Sequence, residues 1–316
     1  YTLSAVSKPL MALFTFPLWV FFARTLDRLG KGVRTGARDA MLSGESTREN
    51  KGKIFGFHRA LDTAGAAVGP LAALIFLYHY PAQYKWLFVI AVVPGIIAIT
   101  LTFLLKDKQT NIPSKQSPGF FSFLKYWKES SKQYKALVIG LLAFALFNSS
   151  DAFLLLSVKS KGFSDTYMIT IYIFYNLVYA IISLPVGILA DKYGLTRTLI
   201  VGFVVFAIVY ISMGFAMVSW QFFVLFGCYG LYAAATEGIS KALISNIAEK
   251  DKTATAIGFY TSFVSVFAML ASSLAGMIWY TLGMKTMFII SGVGVMMVAI
   301  YLAIMMYSFD RKITGI

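Results

Sequence analysis

Ionisable residues crowd a stretch that begins wholly apolar: Arg24, Asp27, Arg28, Lys31, Arg34, Arg38 and Asp39. Wound as a helix at about 100° per residue, they fall within an arc of roughly 140°, with Leu26, Leu29, Val33 and Ala40 opposite. A one-faced basic stripe with embedded carboxylates can hold an anion or relay a proton. Its plainer use is to reach for water at a membrane edge, which suits Arg38 and Asp39. Arg24, Asp27 and Arg28 lie too deep for that, and an ion at mid-membrane costs about 2.5–3.5 kcal/mol on insertion scales. They are therefore expected to face a partner or a water-filled path.

Other polar groups recur inside apolar runs. His58, Arg59 and Asp62 precede a small-residue series, Gly56, Gly65, Gly69 and Pro70. Glycines four apart let two helices approach closely, and proline kinks a helix. Asn148-Ser149-Ser150-Asp151 places a carboxylate in an otherwise apolar segment. Glu237 and Lys241 stand four apart in the favourable acid-first order and are expected to pair, either as a site or to neutralise each other. Tyr172, Tyr175, Asn176 and Tyr179 share one side of another segment, where packing is the ordinary reason for such a stripe.

The elements that carry these residues are dictated by composition. Hydrophobic residues make up 58% of the 316 positions and charged ones 13%, against roughly 45–50% and 25% in soluble domains. A spanning helix needs about 20 apolar residues. Four candidate spans cover 1–18, 19–42, 55–80 and 86–105. Six more cover 136–158, 167–190, 198–218, 221–247, 254–282 and 284–309. The chain thus reads as an all-α membrane protein: an N-terminal bundle over 1–105, a linker over 106–135 and a C-terminal bundle over 136–316. The linker holds an amphipathic piece around 120–127.

A net charge of +14 does not indicate nucleic acid, because the basic residues lie in short segments between apolar runs rather than on one soluble face. They gather on one side, in the linker, the Arg48–Lys53 loop, Lys192 with Arg197, Lys250 with Lys252, and Arg311 with Lys312. The other side has Lys85, Lys159, Lys161 and Lys285. That asymmetry places linker and C-terminus in the cytoplasm. Cys228 is the single cysteine, His58 and His79 the only histidines, so no disulfide framework, metal cluster or cofactor site is expected.

Several segments together resemble the major facilitator superfamily, and bacterial permeases in particular. Residues 184–197, LPVGILADKYGLTR, are similar to the family's loop motif G-x-L-x-D-[RK]-x-G-x-[RK], found after the second span of each half. Arg24 with Gly30 and Gly32 is similar to the fourth-span motif R-x-x-x-G-x-G, with Arg28 where the family carries glycine. Gly56, Gly65, Gly69 and Pro70 resemble the fifth-span antiporter motif, whose final glycine pair is Ala73-Leu74 here. By this likeness the chain looks like spans three to twelve of a twelve-span protein. The resemblance implies two pseudo-symmetric helical bundles, about ten of the twelve helices being present, that rock about a solute bound at their interface. It also implies that Gly187, Asp191, Gly194 and Arg197, with Arg59, Asp62, Gly65, Gly69 and Pro70, couple the conformational change.

The expected activity is secondary transport of a small polar solute, anionic or zwitterionic given the cations of the second span. It is expected to be proton-coupled efflux by antiport, with uptake by symport as the alternative. The expected pathway residues are Arg24, Asp27, Arg28, Lys31, Asp151, Glu237 and Lys241. Partners are the lipid bilayer, the solute and protons, for a monomer in a bacterial inner membrane. An enzyme should show a nucleophile with its base or a metal set, and a receptor a folded soluble domain; the sequence presents neither. Orientation is open to a direct test. In a Cys228→Ser background, Ser117→Cys in the linker should react with a membrane-impermeant maleimide only after cells are opened; labelling of intact cells would invert the assignment.

Overall fold

The computed structural model describes residues 2–14, 16–81, 83–104, 122–249 and 252–314. Among them all regular structure is helical: α1 (Thr2–Leu13), α2 (Pro17–Gly44), α3 (Lys51–His79), α4 (Tyr84–Ile90), α5 (Val92–Phe103), α6 (Ser122–Glu129), α7 (Lys132–Phe147), α8 (Asp151–Ser160), α9 (Asp165–Tyr193), α10 (Leu195–Met213), α11 (Ser219–Ile247), α12 (Thr253–Leu282) and α13 (Met284–Thr314). Eight stretches of the described residues are long and apolar enough to cross a bilayer, where ten were expected.

The difference lies at the beginning of the chain. The first expected span is broken, because α1 ends at Leu13 and α2 starts at Pro17. Proline is well suited to a first helical position, where its missing N–H is no loss. The Trp19 indole donates to the Leu10 carbonyl at 2.6 Å, satisfying one of the acceptors that the end of α1 leaves open. α2 is helical throughout its 28 residues, yet its charges keep it from qualifying as an apolar span. Two further spans each consist of two helices. Within Tyr84–Phe103 the break comes at Ala91, since the ring of Pro94 cannot coexist with a helical carbonyl four residues earlier. Within Lys132–Ser160 the helix opens at Asn148–Ser150, and the Ser150 hydroxyl accepts from the Ala152 amide to start α8. Most of the expected linker falls at 105–121, outside the described residues; its amphipathic piece is α6.

The chain divides into two compact units, residues 1–39 with 69–122, and residues 40–68 with 123–316. In the first, α1 packs on α4 and α5, and Phe14 meets Trp19 edge to face. In the second, α11 lies between α9 and α10, α10 packs on α13, and α7 contacts both α12 and α13. Its core is aromatic, with Phe144 stacked on Phe203 at 4.2 Å and Phe206 on Tyr210 at 3.9 Å.

The amino-terminal half of α3 belongs to this second unit and touches α9 backbone to backbone. A Cβ on Gly52 would stand 2.5 Å from the Gly187 carbonyl oxygen, and one on Gly56 would stand 2.5 Å from that of Ser183. This close approach within the second unit lies between three and four turns before Gly65 and Gly69. A Cβ on Gly65 or Gly69 meets no heavy atom within 4 Å, and α3 continues through Pro70 as a single helix. Overpacking a close contact costs about 1–3 kcal/mol. Gly56→Val should accordingly lower the thermal unfolding midpoint of the purified protein, while Gly65→Ala should leave it unchanged or raise it slightly.

Candidate functional site

One turn beyond the α3–α9 contact, Arg59 projects from α3 between two carboxylates. Its Nη1 lies 3.0 Å from Asp62 Oδ2, and its Nη2 is paired with Glu237 Oε2 of α11. A guanidinium fork can serve both partners at once, which a lysine ammonium does less well. Glu237, expected to pair along α11 with Lys241, meets a cation of another helix here. α11 lies close enough to α3 that a Cβ on Gly238 would stand 3.3 Å from the Phe55 carbonyl, and that packing turns Glu237 toward Arg59. Lys241 is half-buried one turn further along α11. The Glu237 side chain is 43% exposed, so the network is open to a reacting partner rather than sealed.

A second cluster is built from tyrosines. Tyr175 and Tyr179 of α9, Tyr210 of α10 and Tyr229 and Tyr232 of α11 are all buried. The Tyr175 and Tyr229 rings lie 5.1 Å apart and those of Tyr229 and Tyr232 5.0 Å. The polar groups at the break between α7 and α8 engage their hydroxyls. Tyr229 donates to Asp151 Oδ1 at 2.7 Å, Asn148 Nδ2 donates to the Tyr232 hydroxyl at 3.1 Å, and the Ser149 and Tyr210 hydroxyls are 3.2 Å apart. Asp151 stands in the first turn of α8, where the helix dipole favours a carboxylate. The buried Tyr179 hydroxyl lies beside Glu237, and Asn148 Oδ1 is buried without a hydrogen-bond partner among the described residues. An unmade bond of this kind costs about 1–3 kcal/mol, which a polar solute or a water would relieve. The stripe on α9 was legible as a pattern; Tyr210, Tyr229 and Tyr232 were not singled out, although the Tyr229-x-x-Tyr232 spacing was available as a signal.

At the end of α9 the loop motif has a defined task. Asp191 Oδ1 accepts from the Gly52 amide and Oδ2 from the Lys53 amide, each at 2.7 Å. The carboxylate so caps the amino terminus of a helix distant in sequence, where charge and hydrogen bonding both favour it. Gly187 provides the backbone approach, and Gly194, at φ +106°, closes the turn into α10 in a conformation that L side chains rarely adopt. Arg197 is exposed at the start of α10. Beside this contact Lys51 is buried, its Nζ within 3.2 Å of Ser43 Oγ and 2.9 Å of the Ser245 carbonyl, and bonded to Ser245 Oγ. Sequence inspection missed this cluster.

In the first unit, Asp27 accepts from the Ser7 hydroxyl at 3.3 Å. Arg24, Arg28 and Lys31 lie on α2, their side chains outside the described residues. Asp39 is fully buried and paired with Arg38 at 3.2 Å.

The family model described as Major Facilitator Superfamily matches residues 1–176 and 152–314. The chain belongs to the Major Facilitator Superfamily. This superfamily member is 32% identical over 285 residues, 88% of its length and 70% of the relative's, to an uncharacterised MFS-type transporter of Methanocaldococcus jannaschii. An uncharacterised protein of Mycobacterium tuberculosis is 34% identical over 118 residues, 37% of this chain and 28% of that protein. Among solved structures it shares its fold with the human organic anion transporter MFSD10, at 13% identity and a TM-score of 0.78, covering 95% of this chain and 75% of that one. The Escherichia coli fucose:proton symporter FucP gives 12% and 0.76, over 96% and 81%. Membership makes this protein a secondary transporter of a small solute and not an enzyme.

The ion network is open to a double-mutant test. Arg59→Gln and Glu237→Gln should each lower the thermal unfolding midpoint. The double variant should recover part of the loss, with a coupling of about 1 kcal/mol for a half-exposed pair. Additive losses would show that the contact contributes nothing to stability.

Proposed function

We propose that this transporter couples movement of a small polar solute to the proton gradient by alternating access, in the direction of uptake by symport. The observation that carries the reading is Arg59 shared between Asp62 and Glu237. Proton coupling requires a carboxylate whose surroundings change during the cycle. While the guanidinium is close, it supplies Glu237 with a counter-charge. When rocking or an arriving solute turns Arg59 wholly to Asp62, Glu237 loses its counter-charge and takes up a proton. Because Asp62 remains to hold Arg59, neither charge is stranded at any stage.

Asp151, which accepts from Tyr229, and the buried Asn148 Oδ1 offer the solute its polar contacts. Arg24, Asp27, Arg28 and Lys31 extend the path along α2 and suit an anionic or zwitterionic solute; Lys241 adds a cation beside Glu237. Asp191, Gly187, Gly194 and Arg197 couple the cycle at the helix ends, with Gly65, Gly69 and Pro70 along α3. The protein acts as a monomer in a bacterial inner membrane, its two bundles related by pseudo-symmetry and its linker and C-terminus cytoplasmic.

Two points support uptake over efflux. The antiporter-like series lacks its final glycine pair. The same fold serves a fucose:proton symporter. Efflux by antiport is the second reading, favoured by the spacing of Gly56, Gly65, Gly69 and Pro70.

Proteoliposomes enclosing a pH-sensitive dye separate the two. Among sugars, carboxylates and amino acids added outside, a transported solute should acidify the lumen under symport and alkalinise it under antiport. Glu237→Gln should abolish the proton signal while leaving exchange of labelled solute across the membrane. Solute flux without any lumenal pH change would remove proton coupling from the account.

A further inference from the structure

The end of the second unit remote from Asp191 carries a feature that solute transport does not use. Where α10 turns into α11, a cavity of about 360 Å³ opens to the outside of the bundle, lined by Ile211, Phe215, Trp220, Val224 and Leu225. These are apolar walls of acyl-chain character at the boundary of two spanning helices, and Trp220 is 65% exposed there, as is usual for tryptophan at headgroup depth.

Two cations border the opening. Lys285 Nζ stands 4.2 Å from the centre of the Phe215 ring, and Lys161 Nζ lies 3.3 Å from the sulfur of Met217, the residue after the lining Ala216. Neither has a carboxylate partner among the described residues, whereas nearby Lys159 is paired with Asp165 at 2.7 Å. Lys285 also occupies the first turn of α13, where the helix dipole disfavours a cation. The Phe215 ring face offsets part of that cost, but no carboxylate among the described residues does.

We infer that this groove is a binding site for an acidic glycerophospholipid, one acyl chain lying along Ile211, Phe215 and Val224 and the phosphate held between Lys161 and Lys285. A zwitterionic lipid would fill the groove equally well but would bring its own ammonium to the two lysines. The selectivity therefore rests on net headgroup charge. With about one favourable increment per lysine near a membrane surface, the preference for an anionic lipid should be about tenfold or more.

The test uses Trp220 as reporter. The purified protein is reconstituted into vesicles of unlabelled phosphatidylcholine containing either brominated phosphatidylglycerol or brominated phosphatidylcholine at equal mole fraction. The quenching of Trp220 is obtained as the difference between the protein and its Trp220→Phe variant. Phosphatidylglycerol should quench Trp220 at about tenfold lower mole fraction, and Lys161→Gln with Lys285→Gln should erase the difference. Equal quenching by the two lipids in the unaltered protein overturns the inference, as does selectivity that survives loss of both lysines. The unaltered protein alone suffices for the first comparison, so a poorly folded variant does not leave the question open.

Discussion

Two oxygens of Asp191 hold the amino end of α3 against α9, and the candidate site of the second unit is registered by that contact. Carboxylate and amides come together only because glycines at 52, 56 and 187 let the two backbones almost touch. From Gly52 the helix rises about 1.5 Å per residue, so Arg59 arrives roughly 10 Å further along the helix, level with Glu237 on α11. Shift the contact by one residue and Arg59 turns by about 100° away from its partners. An acid at the end of α9 would otherwise oppose the dipole of its own helix; capping α3 converts that liability into a docking interaction.

The site placed by this register combines two kinds of polar chemistry. Arg59, Asp62 and Glu237 form a partly exposed charge network. The tyrosines around Asp151 form a drier cluster, whose hydroxyls are directed toward the polar residues at the α7–α8 break. The first can exchange partners at little cost because a third group is always present. The second is more demanding, since each polar atom taken from water must find a new partner. The unpaired Asn148 Oδ1 shows that this requirement is incompletely met among the described residues.

Much of the fold was legible because hydrocarbon imposes a simple rule on composition and length. The apolar runs of the second half became helices at nearly the expected positions. Legibility failed where a local rule overrode the hydropathy average. Pro17 and Pro94 broke runs that hydropathy treated as continuous, and Asn148–Ser150 opened a third. In the site, the spacing of Glu237 and Lys241 suggests a pair within α11, whereas the contact of Glu237 with Arg59 joins it to α3, and helical periodicity carries no information about packing between helices. Lys51 was overlooked for the same reason, since it looks like one more loop cation until Ser43 and Ser245 close around it.

The interruption at Asn148–Ser150 has a mechanical meaning. Two stiff rods joined through a short non-helical segment at 148–150 form an articulated strut, and bending concentrates at the joint because its dihedrals are softer than those of either rod. The Ser150 amide, released from the helical ladder, donates to the hydroxyl of Ser272 on α12 at 3.2 Å. Any swing of α8 therefore tugs on α12, carrying Asp151 with it.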